Sequence, residues 1–174
     1  QQAAKRRYIY LLKQAKKRFG FEIYAWVIMS NHVHLLIKVN ETPLSVIMHH
    51  IQMSFSHWYN AKYKHTGHVF EGPYRFLECA NLCYFKNIIR YIHQNPTRAD
   101  LPKGILYRWS SHRDYIGDGL WELTDVEAVL SQFHGSPRQV RELYRTFMGQ
   151  KEELIPMLEL ESIYLVEGVE PEPD

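Results

Sequence analysis

Two histidines two residues apart, His32 and His34, lie inside the run Trp26 to Ile37, WVIMSNHVHLLI. Alternate side chains of a β-strand share a face, so this spacing points both imidazoles the same way, where they could hold one metal ion. Val33, Leu35, Ile37 and Val39 then turn into a core, and the strand divides into a packing face and a polar face. An H-x-H pair recurs easily in a chain with ten histidines, so other residues must carry the reading. Tyr91 and Asn95, four apart in an apolar-periodic segment, are neighbours on one side of a helix. A tyrosine hydroxyl, with an ordinary pKa of about 10, becomes a useful nucleophile when a positive charge or a metal favours the phenolate. The Asn95 amide oxygen is a hard ligand that could complete a two-histidine site, leaving room for phosphate oxygens.

The elements that must position these groups are readable from periodicity. Residues 3 to 19 have helical spacing, with Tyr8, Leu11, Leu12 and Ala15 on one face and Gly20 as the stop. Phe21 to Met29 and His32 to Val39 read as two strands joined at Ser30-Asn31, an antiparallel hairpin. Pro43 opens a long helix to about His65, and Val69 to Glu78, broken by Gly72-Pro73, reads as a bent strand or a short hairpin. Asn81 caps the helix that carries Tyr91, which Pro96 closes after Asn95. On that helix Phe85, Ile88, Ile89 and Ile92 form an apolar stripe, with Tyr84, Tyr91 and Asn95 on its flank and Lys86, Arg90 and Gln94 away from it. After a loop around Trp109-Ser110-Ser111, Thr124 caps a short helix to Phe133 and Ser136 caps another, Pro137 to Met148. Hairpin-linked strands among helices predict an α+β fold rather than a doubly wound parallel sheet.

At 174 residues the chain suits one domain with a short appendage, large enough to bury a core without disulfides. Two cysteines, Cys79 and Cys83, make neither a disulfide framework nor a set of zinc-ligand pairs, so a reducing cytoplasm is expected. No apolar run approaches membrane-spanning length. The net charge of +2 hides an uneven distribution. Lys5, Arg6, Arg7, Lys13, Lys16, Lys17 and Arg18 crowd the first helix, whereas Glu152 to Asp174 is acidic and ends in EGVEPEPD, a solvated tail by composition. The weakly patterned segment from Lys151 leaves three units: 1–117, a helical extension 118–150 and an acidic tail 151–174.

SNHVHLLI, GHVFEGPYRF (67–76), YIHQNPTRADL (91–101), YRWSSHRDYIG (107–117) and the ending DVEAVLSQF…SPRQVRELYRTFMG occur in order and at characteristic spacing. Together, over about residues 5 to 149, they resemble the single-tyrosine transposases of the His-hydrophobic-His endonuclease superfamily, in particular the REP-associated tyrosine transposases. The resemblance implies a bacterial, cytoplasmic enzyme with a ferredoxin-like antiparallel sheet and packed helices, acting as a homodimer on single-stranded DNA with hairpins. It further implies that His32 and His34 bind Mg²⁺ or Mn²⁺, that Asn95 supplies the third ligand, and that Tyr91 attacks phosphorus to give a 5′-phosphotyrosine intermediate and strand transfer. DNA contacts are expected from Lys5, Arg6, Arg7, Arg75, Arg90, Arg98, Arg108 and Arg113, with Tyr74, Trp58 or Trp109 as stacking platforms. His49, His50, His57, His65, His68, His93, His112 and His134 read as structural or surface positions.

Two features depart from the family pattern. The family begins with a β-strand before the first helix, and this chain opens almost directly on that helix, so the sheet is expected to lack a strand or to receive it from elsewhere. Asp100 stands where relatives commonly carry glycine. Two rival functions follow: a domesticated hairpin-binding protein that no longer cuts, and a metal-dependent phosphoesterase that uses water instead of tyrosine.

Overall fold

The computed structural model describes residues 2–79, 82–131, 135–150 and 163–166. Asn81 as a helix cap, His134, and the acidic tail apart from Ile163–Val166 lie outside them. Helix α1 (Gln2–Phe19) buries Tyr8, Ile9, Leu11, Leu12 and Ala15, and stops where Gly20 turns to a φ of 68°, a left-handed conformation that glycine adopts without a Cβ clash. Strands β1 (Glu22–Ile28) and β2 (Val33–Lys38) form the antiparallel hairpin, closed by the Met29 N–H donating to the His32 carbonyl at 2.9 Å. His32 therefore sits just before β2 rather than inside it. Helix α2 (Leu44–Tyr63) follows, with Pro43 as its flanking residue.

The α+β expectation is what the structure shows, but the sheet is mixed rather than antiparallel. Its order is β1-β2-β4-β3, where β3 is Phe76–Cys79 and β4 is Ile163–Val166. Strand β4 runs parallel to both neighbours, pairing Leu35 with Ile163 on one side and Phe76 with Ile163 on the other. The expected gap in the sheet is thus filled from the far end of the described chain, by four residues inside the acidic tail 151–174 and just ahead of EGVEPEPD. Without them β2 and β3 would each leave unpaired backbone groups facing a slot.

The division of β2 into a packing face and a polar face also needs correction, because helices cover both sides of the sheet. On one side α1 and α2 pack against Ile23, Trp26, Ile28, Leu35 and Ile37. On the other, helix α3 (Leu82–Arg98) lays its stripe of Phe85, Ile88, Ile89 and Ile92 against Tyr24, Ala25, Val27 and Leu36. Burial of each of the larger aliphatic and Phe side chains among them contributes about 1.5–3 kcal/mol. A β-bulge between Ile23 and Ala25 turns both Tyr24 and Ala25 toward α3.

The segment after α3 closes the far side. The Trp109–Ser111 loop pairs with the outer edge of β1, with the Ile28 N–H bonded to the Trp109 carbonyl at 2.9 Å and the Ser111 N–H to that of Trp26 at 3.0 Å. A single turn, α4 (His112–Tyr115), and helices α5 (Val126–Leu130) and α6 (Pro137–Gly149) add Tyr115, Val129, Leu130, Val140, Tyr144 and Met148 to the core beneath α3. Ser136 forms the expected cap, reciprocated by Gln139. Thr124 does not cap α5; Asp125 takes that position, because the Thr124 hydroxyl accepts from Trp26 Nε1 at 3.0 Å and donates to the Asp114 carboxylate. Among the described residues no helix is long and apolar enough to cross a membrane.

Candidate active site

His34 projects from β2 on the α3 side of the sheet and is 5% exposed. His32, two residues earlier and more exposed, lies beside it: the two rings are 4.9 Å apart, edge to face at 75°. The period-2 argument therefore holds for the pair although only His34 has strand pairing. Asn31 fixes one end of the outer ring, its side-chain oxygen 2.9 Å from His32 Nδ1.

Helix α3 supplies the other half. Tyr91 is 6% exposed and its ring meets His34 edge-on, with 5.4 Å between centroids at 80°. Asn95, one turn on and 9% exposed, turns its amide N–H₂ back to the Tyr91 carbonyl at 3.4 Å and shares a side-chain hydrogen bond with His32. Partial desolvation lowers the His32 pKa from its ordinary value, and the Asn95 hydrogen bond acts in the opposite sense. The Arg98 guanidinium stands over the outer side of Tyr91, 5.1 Å from the ring centroid. His32, His34, Tyr91 and Asn95, far apart in sequence, thus form one cluster where α3 crosses the end of the hairpin.

The helix reaches this position because it continues past Asn95. Pro96 was expected to close it, yet it lies inside the last turn, and the Ala99 N–H still reaches the Asn95 carbonyl at 3.0 Å. Proline removes one backbone donor from the ladder, and the helix continues around it. Termination comes at Asp100, whose φ of 49° is left-handed, with Asp100 N–H bonded to Thr97 O (3.1 Å) and Leu101 N–H to Pro96 O (2.9 Å). This is the Schellman arrangement, whose left-handed position glycine usually fills. The extra turn is what carries Arg98 over Tyr91.

The donor set suits a hard divalent cation in one respect: two imidazoles and an amide oxygen converge, with the amide already bonded to one ring. Among the described residues no group of three or more His, Cys, Asp and Glu side chains gathers.

The expected DNA contacts divide sharply. Arg90 is 5% exposed, lies 4.5 Å from the Phe147 ring centroid and donates to Asn87, so it braces α3 against α6. Lys5 is hydrogen-bonded to the Tyr107 hydroxyl, and Arg113 is paired with Asp118. Arg6, Arg75, Arg98 and Arg108 are exposed, and Arg7 is partly so. Trp109 is buried and stacks on Trp121 at 5.1 Å and 23°, whereas Trp58 and Tyr74 are partly exposed.

Behind the site lies a buried polar chain that sequence reasoning missed. Ser111 Oγ accepts from the Trp26 N–H at 2.8 Å and lies 2.6 Å from His93 Nε2; the Tyr144 hydroxyl bridges His93 Nδ1 at 2.9 Å and His112 Nδ1 at 2.7 Å. Every group is satisfied if His93 donates from Nε2 to Ser111, Tyr144 donates to His93, and His112 donates from Nδ1 to Tyr144. Burial holds both imidazoles uncharged. It pushes the His93 pKa well below its ordinary value, with His112 adding to the effect, and pushes that of His112 down to about 4, with Arg145 contributing. His93 lies between Tyr91 and Asn95 in sequence, so this chain pins α3 to β1 and α6 at the level of the site.

No curated protein and no solved structure matches the chain. A family model described as "Transposase IS200 like" matches residues 1–95, a span that takes in the histidine pair and the whole turn from Tyr91 to Asn95. That match covers more than half of the sequence and ends on the last member of the cluster, and the chain accordingly belongs to the IS200-like transposases.

Proposed function

We propose that this transposase cuts and rejoins single-stranded hairpin DNA through a covalent bond to Tyr91, with His32, His34 and Asn95 holding Mg²⁺ or Mn²⁺ and with a homodimer as the acting species. The observation that carries the reading is the placement of the Tyr91 ring 5.4 Å from the His34 ring, on the side of the sheet that also presents His32 and Asn95. A divalent ion at these three residues would draw charge from a phosphodiester bound there. The remaining work belongs to side chains of the chain itself. Tyr91 gives up its phenolic proton and its oxygen bonds to phosphorus in line with the departing 3′-oxygen, which takes up a proton as the P–O3′ bond breaks. The products are a 5′-phosphotyrosine and a free 3′-OH. One phosphodiester is exchanged for another, so a second 3′-OH can reverse the step and join strands without ATP. Packing around Tyr91 limits its rotamers, and the Arg98 guanidinium over the ring covers its outer face.

The test is an end-labelled hairpin strand incubated with the protein and Mn²⁺ and resolved on a denaturing gel beside Tyr91→Phe. A protein-linked band that vanishes in the variant is expected. Metal-dependent cutting that survives the substitution would move the assignment to a water-using phosphoesterase, and binding without cutting to a domesticated DNA-binding protein.

A further inference from the structure

Helices α1 and α2 lie on the side of the sheet opposite Tyr91 and His34. Neither helix contains a single aspartate or glutamate, while α1 alone carries Lys5, Arg6, Arg7, Lys13, Lys16, Lys17 and Arg18. Among the described residues Asp125 pairs with Lys16 of this basic set, and Asp114 interacts electrostatically with Lys13.

Where α1 and α2 meet, the basic groups interleave with aromatic rings. The Arg7 guanidinium lies 5.0 Å from the Tyr10 ring centroid and 5.9 Å from that of Trp58; Lys62 Nζ lies 5.7 Å from Trp58 and 6.0 Å from Tyr63. Tyr63 in turn meets Tyr59 at 4.7 Å. Arg7 Nε is buried without a hydrogen-bond partner, so ring contacts hold this guanidinium in place. Two of the rings are largely open to solvent, Tyr10 at 49% and Tyr63 at 41%. Large aromatic side chains exposed on two helices that carry no carboxylate of their own do not serve the core, which Tyr8, Leu12, Ile47, Ile51 and Phe55 already fill.

We propose that Arg7, Tyr10, Trp58, Lys62 and Tyr63 form a second nucleic-acid surface that binds single-stranded DNA by base stacking, on the opposite side of the sheet from the cleavage site. Alternating cations and ring faces match a polymer whose phosphates need positive charge and whose unpaired bases offer π-faces. A duplex satisfies the first requirement and not the second. Given the transposase reading, this surface retains an unpaired strand while another part of it is cut; it does no chemistry itself.

The full chain is titrated by fluorescence anisotropy with a short unstructured oligothymidylate and with a strand of equal length carrying abasic residues, which keeps the phosphates and removes the bases. Wild-type protein is expected to prefer the base-bearing strand by about fivefold or more. Tyr10→Ala combined with Tyr63→Ala should abolish that preference; both positions are exposed on helices that favour alanine, and unchanged far-UV circular dichroism confirms the fold. Lys62→Ala should weaken both strands alike. Tyr91→Phe should keep the full preference while losing the covalent adduct, which separates failure of this surface from failure of the catalytic reading. Equal binding of the two strands by wild type, a preference that survives the double substitution, or equal affinity for duplex DNA would each overturn the proposal.

Discussion

Tyr144→Phe removes one hydroxyl and leaves a ring that still stacks on Tyr115, at 4.8 Å and 22°. Burial holds the Tyr144 pKa well above its ordinary value, so the group lost is a neutral phenol at any working pH. In its absence the Nδ1 atoms of His93 and His112, both in side chains no more than 5% exposed, lose the partner that bridges them. An unsatisfied buried polar group costs about 1–3 kcal/mol, and two of them share the vacancy, so the expected destabilisation is about 2–4 kcal/mol. For a chain of this length that lowers Tm by on the order of 10 °C. Urea unfolding of the full chain, followed by far-UV circular dichroism, measures the change as a lower midpoint at unchanged slope. A loss below about 0.5 kcal/mol, the range of ordinary surface substitutions, would refute the idea that the hydroxyl satisfies both imidazoles.

Three further outcomes are expected. His112 has a folded pKa of about 4 against about 6.5 unfolded, so its stabilising effect is complete above pH 6.5 and is lost as the pH falls toward 4. The loss amounts to about 3 kcal/mol, and urea midpoints across that window measure it; His112→Gln should reduce the slope and leave the part that buried His93 contributes. Asp100→Gly, at a φ of 49°, should stabilise the chain by about 0.5–1 kcal/mol in the same assay. Arg98→Ala should slow adduct formation in single-turnover assays by about tenfold while leaving the midpoint within about 0.5 kcal/mol, since Arg98 is exposed and works through the Tyr91 ring.

What could be read in advance was whatever depends on local periodicity. The shared face of His32 and His34 needs only a period of two, the neighbourhood of Tyr91 and Asn95 only a helical turn, and the stripe from Phe85 to Ile92 emerges buried as its spacing requires. What failed depends on tertiary context. Arg90 looks like a surface cation until α6 is docked on it through Phe147. Pro96 reads as a terminator until the Schellman bonds around Asp100 show where the turn ends. The chain of Ser111, His93, Tyr144 and His112 joins four residues from three helices and a loop, and no spacing rule links them. Strand β4 was the hardest to foresee: four residues in an acidic segment carry too little pattern, and their place is set by a slot formed elsewhere.

That slot has a consequence for the order of events on the ribosome. Strands β1, β2 and β3 and the helix bearing Tyr91 are all synthesised well before Ile163–Val166, yet β4 is the strand that joins β2 to β3. A nascent chain can close its hairpin early, since that contact is local, but the sheet stays split until the late strand emerges and makes the most distant pairing in the fold. During that interval two open edges of apolar strands are exposed to other nascent chains. The half of the cluster carried by the hairpin and the half carried by α3 meet through direct packing of α3 on β1 and β2, so the cluster can assemble while the sheet beside it is still split.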